Sequence, residues 1–85
     1  MTVYSTHLNL SEIKPGNKVL ILGYSNEDVP LKMLEMGLLP GNEILVKRLA
    51  PLRDPMHIEI AGYDLALRRD EAAQIIVEEL AKSPD

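Results

Sequence analysis

MHIEIAGYDLALR, residues 56–68, is the stretch from which the fold can be read. Met56, Ile58 and Ile60 alternate with His57 and Glu59, and Tyr63, Leu65 and Leu67 alternate with Asp64, Ala66 and Arg68. Successive side chains of a strand point to opposite faces, so this pattern suits a strand with one buried face and one wet face. Ala61-Gly62 joins the two runs, and its glycine tolerates the positive φ of a tight connection. The stretch is expected to be a β-hairpin.

Working outward, NEILVKRL (42–49) reads as a further strand, with Ile44 and Val46 inward and Glu43 and Lys47 outward. It follows Pro40-Gly41, a dipeptide suited to the centre of a type II turn. KVLILG (18–23) follows a second such dipeptide, Pro15-Gly16, and its four consecutive apolar residues imply partial burial on both faces. In QIIVEE (74–79) the β-branched run Ile75-Ile76-Val77 favours a strand over a helix, with a short turn over 70–73 before it. PLKMLEMG (30–37) is the one helix expected: Asn26 or Asp28 can cap it, Pro30 suits its first turn, and Gly37 can end it. These elements predict a mainly all-β fold, a small SH3-like β-barrel of about five strands with one short helix. The expected division is a leader over 1–9, one domain over 10–79 and a flexible tail over 80–85.

Composition limits the function. The 85 residues hold no Cys, so thiol chemistry and thiolate metal sites are excluded. Thirteen acidic against nine basic residues, net charge −4, argue against phosphate-backbone recognition, and no Trp or Phe is present to stack on bases. There is no signal-peptide pattern and no apolar run of membrane-spanning length, so a cytoplasmic protein without membrane insertion is expected. No phosphate-binding glycine motif occurs, and no serine sits in an activating motif. His57, Glu59 and Asp64 share the hairpin's polar side, which reads as a solvated face rather than a metal site. Neither catalysis nor a cofactor is expected, which leaves a module that binds another protein.

The helix and the loop APLRDP (50–55) are the candidate contacts. On a helical wheel with Leu31 at zero, Glu35 falls at about 40°, Lys32 at about 100°, Met36 at about 140°, Met33 at about 200° and Leu34 at about 300°. The apolar arc is wider than one core needs. For so small a domain the first expectation is that the whole helix sinks into the barrel mouth as core. The alternative is that Leu31 and Leu34 plug the barrel end while Met33 and Met36 face outward as a docking surface. The proline-bracketed loop is a stiff exposed segment of the kind that carries recognition. The candidate partner-binding residues are Leu31, Lys32, Met33 and Met36 on the helix, and Pro51 and Arg53 on the loop.

Three pieces, LSEIKPGNKV, LKMLEMGLLPGNEILV and APLRDPMHIEIAGYDLALRRDEAAQIIVE, stand in an order and spacing that resembles the FeoA family. Lys32 stands where many members carry Arg. The resemblance implies an SH3-like barrel that docks on the cytoplasmic G-protein region of FeoB, the bacterial ferrous-iron permease, and supports or regulates iron uptake without transporting iron itself. It also leaves two alternatives: a stand-alone docking domain like the C-terminal domain of metal-dependent repressors, or a regulator that stimulates GTP hydrolysis through Arg48, Arg53, Arg68 or Arg69. Weak self-association is a further expectation.

Overall fold

The computed structural model describes residues 8–80. Six strands run through them: β1 (Leu8–Asn9), β2 (Lys18–Tyr24), β3 (Glu43–Leu49), β4 (Met56–Ile60), β5 (Tyr63–Leu67) and β6 (Ile75–Glu79). Helix α1 (Leu31–Glu35) lies between β2 and β3, and α2 (Arg69–Ala72) lies between β5 and β6. All neighbouring strands are antiparallel, in the order β1-β6-β2-β3-β4-β5. The chain thus runs as a meander from β2 to β5. It then crosses back through α2 to place β6 between β1 and β2.

The hairpin forms where the alternation puts it. Ala61 (φ 52°) and Gly62 (φ 83°) both take the left-handed conformation that matches the twist of the flanking strands. Met56, Ile58 and Ile60 are all buried along β4. The pattern fades along β5, where Leu67 is buried, Leu65 half-buried and Tyr63 72% exposed. β5 is an edge strand, and Tyr63, its first residue after the turn, stays exposed although its cross-strand partner Ile60 is buried.

The closed barrel expected from the sequence is not what forms. β1 and β5 are the two ends of an open sheet and do not pair with each other among the described residues. Among the described residues there are six strands rather than about five, and two short α-helices rather than one. Period-two patterning dictates which face a strand buries. Closure depends on strand tilt and stagger, which that pattern does not encode. The second helix replaces the expected turn at 70–73. The expected leader and tail lie outside the described residues, except that Leu8 and Asn9 pair with Val77 and Ile76, and the Leu80 amide donates to the Lys18 carbonyl at 3.0 Å.

One face of the sheet carries the core, through residues such as Val19, Ile21, Ile44, Val46, Ile75 and Val77. Leu10, Ile13, Met33, Leu38 and Ala72 join the same cluster from the segments between strands. Each large apolar side chain so buried stabilises the fold by about 1.5–3 kcal/mol before entropy is counted.

Candidate partner-docking face

Helix α1 is only five residues long, so its ends decide whether it exists. Pro30 occupies the N-cap and offers no side-chain bond, so neither Asn26 nor Asp28 caps the helix as expected. The C-terminal end is well satisfied. Gly37 takes φ 89°, its N–H donates to the Leu34 carbonyl at 3.0 Å, and the Leu38 N–H donates to the Met33 carbonyl at 3.1 Å. Those two bonds, together with burial of both Leu38 and Met33, make a Schellman ending. The Tyr24 hydroxyl donates to the Leu38 carbonyl, and the Asn42 amide donates to the Gly37 carbonyl at 2.6 Å. Burial pushes the Tyr24 phenol above its ordinary value. The segment after α1 is thereby tied to β2 and to the start of β3.

The orientation of α1 corrects the expected one. Met33 is fully buried (0% exposed) and Met36 is half-buried against the core, whereas Leu31 is 68% exposed. Met33 therefore faces inward and offers no docking surface, and Leu31 plugs nothing. The charged arc decides this. Lys32 and Glu35 must reach water, and Leu31 lies on their side of the wheel; the opposite direction falls between Met33 and Leu34. An apolar surplus does exist on α1, but Leu31 carries it.

Pro51–Arg53 form a 3-10 turn with none of its residues buried. Leu52 is 92% exposed, and both Leu52 (φ 64°) and Arg53 (φ 66°) take the left-handed conformation. For residues with a Cβ that conformation costs roughly 1–2 kcal/mol each. Hydrogen bonds hold it. The Ala50 N–H donates to the Pro55 carbonyl at 3.1 Å, and the Arg53 N–H to the Ala50 carbonyl at 2.8 Å. Asp54 accepts from the Arg69 N–H at 3.1 Å, and the Arg53 guanidinium reaches the Ser11 carbonyl at 3.5 Å.

Helix α2 is the piece that the sequence reading missed, and it joins the two candidate segments. One oxygen of Glu71 accepts from the Arg68 N–H at 3.0 Å, which caps the helix start. The other lies 2.7 Å from the Lys32 ammonium of α1. The Lys32 bond, and after it the Arg68 amide, hold the Glu71 carboxyl below its usual value. Lys32 thus links α1 to α2, Asp54 links α2 to the loop, and Arg53 links the loop to Ser11 in the 3-10 turn Leu10–Glu12. Leu31, Lys32, Pro51 and Arg53 belong to this connected set and are all exposed. The sequence signal for α2 was Glu71, three residues after the helix boundary. For Leu52 it was an apolar residue belonging to no periodic run.

The outer faces of β3, β4 and β5 are polar. Lys47 lies 3.1 Å from Asp64 and 3.9 Å from Glu59, beside a shallow groove of about 350 Å³ that Arg48 and His57 also line. Among the described residues no three His, Cys, Asp or Glu converge as metal ligands, and no helix is long and apolar enough to cross a membrane.

A model of the FeoA domain matches residues 8–79. A fusion protein from Porphyromonas gingivalis, Fe(2+) transport protein A joined to Fe(2+) transporter FeoB, is 42% identical over 72 residues, covering 84% of this chain. This chain spans only 8% of that relative's length. The NMR structure of an FeoA-like protein from Clostridium acetobutylicum superposes with a TM-score of 0.84 at 35% identity, covering 100% of this chain and 96% of that one. A manganese-dependent transcriptional repressor, at 16% identity and a TM-score of 0.79, shares the fold alone, over 88% of this chain and 42% of its own.

Proposed function

The chain belongs to the FeoA domain family, and on that premise we propose that it is a cytoplasmic accessory module of bacterial ferrous iron uptake. It docks on the cytoplasmic G-protein region of an FeoB-type permease and supports or regulates transport without carrying out catalysis. The observation that carries this reading is the fusion relative, in which the matching segment and an FeoB transporter form a single chain. Two parts joined in one chain meet at high effective concentration, so the join suits partners that act in contact.

The linked set of α1, α2 and the 50–55 loop is the surface we assign to docking. Leu31 and Leu52 give it exposed apolar anchors, and Lys32, Arg53 and Arg69 border them with cationic residues. Met36, half-buried behind them, supports the face from below. The test is ferrous iron uptake in cells that lack this gene but keep the permease. Restored uptake with the wild-type chain, and reduced uptake with a Leu31→Glu, Arg53→Glu double variant at equal protein level, supports the reading. Equal uptake with and without the chain overturns it.

A further inference from the structure

We propose that Leu52 is the principal anchor of this docking face, an apolar knob that enters an apolar socket rimmed by acidic groups on the permease; this rests on the docking reading above. Folding alone gives no reason for leucine at that position. At 92% exposure the side chain adds nothing to the core, and its φ of 64° suits asparagine or glycine better. The backbone is nonetheless held in place by the Ala50–Pro55 and Arg53–Ala50 hydrogen bonds and by the Arg69 amide on Asp54. A knob on a fixed backbone loses little freedom when it binds, which is how a small contact reaches useful affinity. Arg53 follows with the same left-handed φ, so a cation stands beside the knob. Among the described residues its guanidinium reaches only the Ser11 carbonyl, at 3.5 Å, and keeps donors for a carboxylate.

The occupant is the permease rather than a second copy of this chain. A stable dimer buries about 1,200–2,000 Å² around an apolar centre. Among the described residues the large exposed apolar side chains are Leu8, Leu31, Leu39, Leu52 and Tyr63, and the docking face groups only Leu31 and Leu52 of these, too few for such a centre. The fusion relative, which joins the matching segment to an FeoB transporter in one chain, points to the permease as the partner.

The test is binding of the full chain to the intact permease in lipid nanodiscs by interferometry, with the thermal midpoint of each variant measured in parallel. Leu52→Asn and Leu52→Gly are expected to keep or raise the midpoint while weakening binding by about tenfold or more, and Leu52→Met to stay within about threefold. Wild-type affinity in the Asn and Gly variants overturns the anchor and leaves docking through other residues standing. Loss of self-association in those variants with permease binding unchanged assigns the knob to a second copy, and also overturns it. No binding by the wild-type chain overturns the docking reading and the anchor with it.

Discussion

β4 and the loop that leads into it are neighbours in sequence, and different forces account for them. In β4 each apolar residue is buried and each polar one meets water at least in part, so folding explains every choice. Pro51–Arg53, three residues upstream, bury nothing, adopt left-handed backbone at two residues that resist it, and hold a leucine in water. Stability selects the first segment. The second carries costs that stability alone would remove. A small domain sits close to its stability threshold, so features that work against folding mark where function acts.

That contrast can be broken by measurement. The largest effect belongs to the folding side. Met33→Ala is expected to cost about 2–5 kcal/mol in urea unfolding, because a fully buried side chain leaves a cavity beneath α1. A loss below about 0.5 kcal/mol would mean that Met33 is not core. Next is the opposite sign at the loop. Leu52→Gly is expected to raise stability by about 1 kcal/mol, since glycine takes left-handed φ without a Cβ clash. Destabilisation there would show that Leu52 packs in solution, and would erase the difference between loop and strand.

Smaller effects concern the joint between them. Lys32→Ala removes the ion pair with Glu71 and is expected to cost about 0.5 kcal/mol. The pH dependence follows from the lowered Glu71 carboxyl. Its contribution to stability is fully present above its ordinary value of 4.5 and is lost as pH falls through the lower folded-state value, where the carboxylate protonates. Lys32→Met should therefore flatten the acid limb of a stability–pH curve, and an unchanged limb would remove Lys32 as the cause.

How much of this was legible follows from how local each signal is. The β4–β5 hairpin could be read because alternation and turn chemistry lie within thirteen consecutive residues. Openness of the sheet could not, because whether β1 meets β5 depends on the accumulated geometry of all six strands. The helix is legible in the sequence, but which of its apolar residues stays in water is not. Lys32 and Glu35 place Leu31 on the wet side, a constraint stronger than the attraction of any one apolar residue. Leu31, Lys32, Pro51 and Arg53 were singled out from the sequence and are exposed here, while Met33 is core. Leu52 was overlooked because periodicity identifies apolar residues that belong to a face, and this one belongs to none.

The central claim is that the face built from α1, α2 and the 50–55 loop meets the permease. The direct measurement is amide chemical-shift mapping of the labelled chain as the permease's cytoplasmic G-protein region is titrated in. The account predicts perturbations grouped at 31–35, 51–54 and 69–72, with the amides of Leu45, His57, Glu59 and Asp64 on the polar side of the sheet unmoved. Shifts centred on those four residues, or none anywhere at saturating partner, would contradict it.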